Sequence, residues 1–166
     1  MSKKCHDRHT WEEMQQSRKK GKRVYVDVVI VAGAPLAGKT TYVNKHKQKD
    51  DLVFDYDSIL AALTGEELYY RPAWSIDLVL SIRETVMQYI EKKTALRKAW
   101  IIASAPMLHQ RQYFRDRFNA SIVVVNPGKQ VCLQRLQTNT RTDDYYEAIT
   151  KWYANYEHSE QDIHVE

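Results

Sequence analysis

The pattern G-x-x-x-x-G-K-[ST] is met once in the chain, at Gly33-Ala34-Pro35-Leu36-Ala37-Gly38-Lys39-Thr40, with Thr41 directly after it. Each fixed position has a physical task. Glycines let the backbone turn tightly, so that successive N–H groups point inward and cradle an anion. The lysine brings a point charge to the β- and γ-phosphates of a nucleotide, and the hydroxyl that follows ligates Mg²⁺. A helix starting near Gly38 adds its positive end to the same place. The stretch from Gly33 to Thr41 is therefore expected to bind nucleotide phosphates, with Lys39 assisting their transfer and Thr40 at the metal.

A phosphate loop serves motors, switches and kinases alike, so the discriminating residues lie elsewhere. The apolar run Val53-Phe54 closes on two acids, Asp55 and Asp57. A carboxylate at that place suits the orientation of an acceptor hydroxyl and the removal of its proton while a phosphoryl group moves. Asp57 is assigned that task. Asp55, two residues back, points the same way if both are still on a strand; it either supports the metal through water or shares the role. Asp57 is also a suitable N-cap for a helix beginning at Ser58, and capping is compatible with catalysis. Phosphoryl transfer needs positive charge on the moving group as well. Arg135 and Arg141 stand six residues apart, at the end of one helix and before the next, where a closing lid would lie. Taken singly, each reads equally well as a surface arginine.

These groups must be brought together by the fold. At 166 residues the chain is expected to form one domain with a core of its own. Its 43% hydrophobic and 28% charged residues are those of a globular protein, and no apolar run is long enough to span a bilayer. Two cysteines make no disulfide framework, and the amino end lacks an apolar signal core, so the expected location is the cytoplasm (a host's, if a phage encodes the chain). The net charge of +4 permits a nucleic-acid partner without requiring one.

Residues 1–22 read as a basic arm preceding a single domain over 23–166. Within the arm, Thr10 and Glu13 have capping-box spacing, Ser17 to Arg23 is a basic run read as a solvated linker, and Cys5, His6 and His9 fall short of a metal site. Val24 to Ala32 reads as a buried parallel strand, with Asp27 at its surface end. Further strands are expected at Asp51–Asp57, Ala99–Ser104 and Ala120–Val125. Helices are expected over Thr40–Lys49, Ser58–Leu63 (closed by Gly65), Trp74–Leu96, Leu108–Phe118, 129–137 and Asp143–Glu157. Arg111, Arg115 and Arg117 fall on the polar side of the fourth of these. Tyr69 and Tyr70 lie in a loop beside the acids and are candidates for stacking on an acceptor. Strands alternating with helices mean an α/β fold with a parallel sheet, whose ligands bind at the carboxyl ends of the strands. The phosphate loop, the two acids and Ser104-Ala105-Pro106 are then expected to meet at one edge.

The phosphate loop, the Asp55-x-Asp57 segment and the arginine-bearing stretch Gln130–Arg141 stand in the order and spacing of phage 5′-polynucleotide kinases and related small P-loop kinases, which this chain resembles. The layout from Val28 to Glu157 is also similar to small ATP-binding proteins of phage and prophage genomes. The resemblance implies a three-layer P-loop kinase core of strand order 2-3-1-4 with a helical lid near the carboxyl end. It implies ATP and Mg²⁺ as ligands, Asp57 as general base, and Arg141 and Arg135 as arginines of the lid segment. Leu60 stands where those kinases carry an arginine three residues beyond the base, and Ser104-Ala105 where they carry an acid; both positions serve acceptor binding in that family. The expected activity is transfer of the ATP γ-phosphoryl group to a hydroxyl, of a polynucleotide 5′-end or of a nucleoside or nucleotide. The alternative is an ATPase or ATP-binding accessory factor in phage DNA replication or packaging. The strand ending Ile101-Ile102-Ala103-Ser104 lacks the acid that such a motor usually places there.

Overall fold

The computed structural model describes residues 26–67, 70–92, 95–138 and 144–166. Along the chain run β1 (Asp27–Ala32), α1 (Lys39–His46), β2 (Leu52–Phe54), α2 (Tyr56–Thr64), α3 (Ser75–Glu91), β3 (Lys98–Ala103), α4 (Leu108–Phe118), β4 (Ser121–Val125), α5 (Lys129–Gln137), α6 (Asp144–Asn155) and β5 (Ile163–Val165). The arm over 1–22, Tyr69 and Arg141 lie outside the described residues. No described helix is long and apolar enough to cross a membrane.

The five strands make one sheet of order β2-β3-β1-β4-β5, with every pairing parallel. β1 is central because its β-branched run is apolar on both faces, and only a strand covered from both sides can hide that. From Val28 to Ala32 every residue is buried. Ile30 sits between Ile101 of β3 and Ile122 of β4. Asp27 is left at the exposed outer end, where it pairs with Lys98 at 2.9 Å.

The helices cover the sheet through the faces that their apolar spacing marks out. In α3, Val79, Met87 and Ile90 are buried, with Ile82 and Val86 packed beside them. In α6, Ile149 and Trp152 are buried, and Tyr156, just beyond the helix, stacks on Trp152 with ring centroids 4.7 Å apart.

Four features depart from the sequence expectation. First, the sheet gains β5, whose three residues lie at an edge and pair only with β4. Second, α3 stops at Glu91 and does not reach Leu96. Lys92 is extended, and the Arg97 carbonyl already accepts from the Asp27 N–H as the chain enters β3. Third, β2 ends at Phe54 and α2 starts at Tyr56, so neither acid is on a strand. Fourth, Arg111 is not on a polar face. Its side chain is fully buried, as is that of its partner Asp162.

A buried guanidinium is tolerated only when its donors are filled. Arg111 donates from Nε to Asp162 (2.9 Å), from Nη1 to the carbonyls of Ala105 (2.8 Å) and Pro106 (2.6 Å), and from Nη2 to the carbonyl of Glu157. Arg115 gives Asp162 a second cation. One side chain of α4 thus binds the segment after β3 to the segment before β5. Arg117, on the outer side, joins α4 to Glu84 and Glu91 of α3.

Replacing Asp162 with Ala leaves the Arg111 charge buried without its carboxylate. The expected loss is about 3–5 kcal/mol, read as a lower urea midpoint and a lower Tm. Arg117→Ala, which removes pairs to exposed glutamates, is expected to lose much less. Equal losses in the two variants would show that the buried pair does not fix the carboxyl-terminal segment.

Candidate active site

The phosphate loop leaves β1 at the sheet's carboxyl edge. The Gly33 N–H donates to the Ser104 carbonyl at 3.3 Å, which ties the loop to the end of β3. On its other side Gly33 lies against β4: a Cβ there would stand 2.6 Å from the Val125 carbonyl oxygen. Glycine is required at this place by the close approach of two backbones. The loop then turns through Leu36 at φ +63° and Gly38 at φ +106°, with Ala37 N–H returned to the Ala34 carbonyl. Left-handed residues among right-handed ones make the concave backbone that holds anions. Leu36 is a strained conformation for a side chain with a Cβ. α1 begins at Lys39 with Gly38 as its cap, as the motif predicts.

Side chains hold the loop from within and from above. The Lys39 ammonium donates to the carbonyls of Gly33 (2.9 Å) and Ala34 (2.7 Å), so it lies inside the loop. Arg135 of α5 donates from Nη1 to the carbonyls of Leu36 (2.9 Å) and Ala37 (3.0 Å). Arg135 is therefore at the phosphate loop itself, brought there across nearly a hundred residues of sequence.

The two acids, alike in sequence, hold different places. Asp55 is the N-cap of α2: its Oδ1 accepts from the Asp57 N–H at 3.2 Å, and its Oδ2 from Ser58 Oγ at 3.1 Å. The cap expected of Asp57 thus belongs to Asp55, because the helix starts two residues earlier than Ser58. Asp55 Oδ2 also lies 3.5 Å from Thr40 Oγ1. Asp57 is in the first helical turn and points to Arg71, whose Nη2 and Nε stand 2.8 and 3.3 Å from its Oδ1. Burial works against the Arg71 charge, but the hydrogen bond and charge of Asp57 outweigh it and raise the pKa further. The Arg71 guanidinium also lies over the Tyr56 ring, 5.4 Å from its centroid. Its side chain is half exposed. Ion pairs of this kind contribute no more than about 1 kcal/mol.

These groups border one cleft of about 1100 Å³ at the carboxyl edge of the sheet. The phosphate loop forms its floor. Asp55, Asp57, Arg71, Arg135 and Tyr145 also line it, with Ser104 and Val165 at the strand ends. The expected meeting of loop, acids and Ser104 is therefore what the fold produces. Leu60, by contrast, is buried in the core and does not line the cleft. Arg71 escaped the sequence reading: it stands 14 residues from Asp57 in an irregular segment, and no periodicity links the two.

The donors in the cleft fit Mg²⁺. Octahedral coordination at about 2.1 Å puts neighbouring ligand oxygens about 3 Å apart, and Thr40 Oγ1 and Asp55 Oδ2 are 3.5 Å apart. Among the described residues, no group of three or more His, Cys, Asp or Glu side chains could hold an ion.

The capping and the charge of Asp55 can be separated by substitution. Asp55→Ala is expected to lose about 1 kcal/mol of stability through the uncapped helix. Asp55→Asn, which still caps, is expected to unfold within a few tenths of a kcal/mol of the parent. Denaturant titration checks both; an Asn variant as unstable as the Ala variant would show that charge, not capping, holds α2.

No family model matches the chain, and no curated protein matches it. Among solved structures, it is similar to a chain of the Pnkp1/Rnl/Hen1 RNA repair complex, with a TM-score of 0.60 and 15% identity over 82% of its length. It spans only 46% of that protein. A gluconokinase from Sinorhizobium meliloti gives 0.55 and 14% identity, covering 87% of this chain and 83% of the other. Kti12 from Chaetomium thermophilum, in complex with ADP-AlF3, gives 0.50 and 13%, covering 83% and 88%. At such identities the likeness is one of fold, and with its parallel 2-3-1-4-5 sheet the chain has the fold of the P-loop kinases.

Proposed function

We propose that this protein is an ATP-dependent kinase that transfers the γ-phosphoryl group to a hydroxyl. The observation that carries the reading is the placement of Asp57 on the wall of the cleft floored by the phosphate loop. The β3 strand end offers Ser104 there and no acid, which speaks against the arrangement of a motor.

In this reading the stretch from Gly33 to Thr41 binds the β- and γ-phosphates through its remaining N–H groups, those of Gly33 and Ala37 being taken by carbonyls and Pro35 having none. Lys39 exchanges its bonds to the Gly33 and Ala34 carbonyls for phosphate oxygens. Thr40 and Asp55 would hold Mg²⁺, which when bound would supply neutralising charge to the phosphates. Asp57 orients the acceptor hydroxyl and accepts its proton. The acceptor oxygen forms a bond to the γ-phosphorus, the bond to the β–γ bridging oxygen breaks, and ADP leaves. Arg135, already at the loop, and Arg141, from its place in the sequence, complement the charge on the moving group. Structural neighbours that include a gluconokinase and a protein holding ADP-AlF3 are in keeping with phosphoryl transfer. An RNA repair neighbour keeps a polynucleotide acceptor open beside a nucleoside or nucleotide.

The test is incubation with γ-labelled ATP, Mg²⁺ and a panel of 5′-hydroxyl DNA, 5′-hydroxyl RNA, nucleosides and sugars. Label is expected on one acceptor class. Lys39→Ala is expected to abolish turnover. Asp57→Asn is expected to bind ATP normally while transfer falls about 10²–10⁴-fold, and Asp55→Asn to raise the Mg²⁺ requirement. Label released only as inorganic phosphate would replace the kinase by an ATPase, and a fully active Asp57→Asn would remove Asp57 as base.

A further inference from the structure

The charge of the chain is unevenly divided. Residues 1–50 hold 12 of its 25 lysines and arginines but only 5 of its 21 acids, so they carry +7 while the remaining 116 residues carry −3. The fold gathers the described part of that excess on one side. α1 leads away from the phosphate loop, and Lys45, His46, Lys47 and Lys49, at and beyond its end, are all exposed. The Gln48 N–H and the Trp100 indole both donate to Asp51 Oδ2, at 2.9 and 2.8 Å. Lys98 Nζ lies 4.7 Å from the centroid of the Trp100 ring, with the exposed Arg97 next to it in the chain. The end of α1 is thereby joined to the start of β3, at the sheet's amino edge. Of the three acids there, Asp27 pairs with Lys98 and Asp51 is taken by Gln48 and Trp100, which leaves Asp50 against Lys45, Lys47, Lys49 and Arg97. β1 enters from the same edge. The basic run that ends at Arg23 is only three residues from Val26, within about 11 Å by chain length.

Cations of one sign on adjoining segments attract a polyanion. Two observations decide which kind. No large apolar side chain is exposed among these described residues, so nothing there would enter a lipid surface. Aromatic rings, however, stand among the cations. His46 stacks on Tyr42 with centroids 4.1 Å apart, and Tyr42 meets the Trp100 ring edge-on at 6.5 Å. Phosphates on the cations and bases on exposed rings are the contacts of a single strand. Tyr42, Lys45 and His46 also line the cleft, so the surface begins where nucleotide would be bound. We propose that Lys45, His46, Lys47, Lys49 and Arg97, with the basic run Arg18 to Arg23, form a binding surface for the backbone of a single-stranded polynucleotide, leading from the cleft to the amino edge of the sheet. None of these described side chains contacts Asp57 or Arg71. The surface goes beyond the kinase reading and does not require it: its task is to keep a strand on the protein while nucleotides exchange in the cleft.

The experiment titrates the full chain into fluorescently labelled oligo(dT) and oligo(U), without ATP, and reads anisotropy over a range of salt. The logarithm of affinity is expected to fall linearly with the logarithm of salt, with a slope of about −3 to −6, as for about 4–8 neutralised phosphates of a single strand. Lys47→Gln/Lys49→Gln/Arg97→Gln is expected to flatten that slope by about 2 and to weaken binding about 10–100-fold near 0.1 M salt. Arg18→Gln/Lys19→Gln/Lys20→Gln is expected to do the same. Lys129→Gln/Lys151→Gln, which removes charge from α5 and α6 instead, is expected to stay within a few-fold of the parent. A Tm equal to the parent's checks that each variant is folded. A slope near zero, no binding at low salt, or an equal loss per charge in the α5 and α6 variant overturns the surface. Tighter binding to vesicles of anionic lipid than to either oligonucleotide overturns it as well. Binding as expected without transfer to any acceptor counts against the kinase reading alone, and transfer to a small acceptor without oligonucleotide binding counts against this surface alone.

Discussion

The site depends on a contact between three backbones. Gly33 gives its N–H to the end of β3 and lies so close to the end of β4 that a Cβ would meet the Val125 carbonyl. The phosphate loop is thereby wedged between the two strands that flank β1, and its curvature starts from a fixed point. The wedge is supported from a distance. Trp152 donates to the same Ser104 carbonyl at 2.8 Å. Arg111 holds the carbonyls of Ala105 and Pro106 just beyond, and Ala105 keeps an unusual φ of +37° there. Arg135 fixes the far side of the loop. A floor made of backbone amides is thus positioned by side chains from the last third of the chain.

What could be read in the sequence follows from the range of each signal. The phosphate loop and its flanking strand and helix are local, and all three stand where the pattern puts them. The α4 and α5 boundaries also agree with expectation, because periodicity and the turns around them lie within a few residues. The features that escaped are those set by distant partners or short elements. β5 has three residues and one neighbour, too little for an alternation to be visible. The polar spacing of α4 suggested three solvated arginines, and only the fold brings Asp162 to Arg111, 51 residues away. The start of α2 turned on which of two similar acids caps it. Asp55 wins by accepting from both Asp57 and Ser58.

Asp55 and Asp57 show how two identical side chains two residues apart take separate environments. At the cap, Asp55 faces backbone and hydroxyl donors and the start of α1, a setting that fixes its carboxylate. Two residues on, Asp57 has the Arg71 guanidinium as its neighbour. A helix start therefore sorts the two without any difference in residue type. The sorting is achieved by geometry that begins with the two-residue gap between Phe54 and Tyr56.

The Arg111 clamp also bears on the order in which the molecule can be completed. Its partners Glu157 and Asp162 come after every other element except β5. In a chain emerging from its amino end, the strands β1 to β4 are synthesised before the carboxylate that neutralises Arg111. The Arg111–Asp162 contact, 51 residues apart, also requires a loop closure during refolding. Maturation of the cleft is thus tied to the arrival of the segment from Glu157 to Asp162, and the phosphate loop acquires this support only after β1 to β4 have been made.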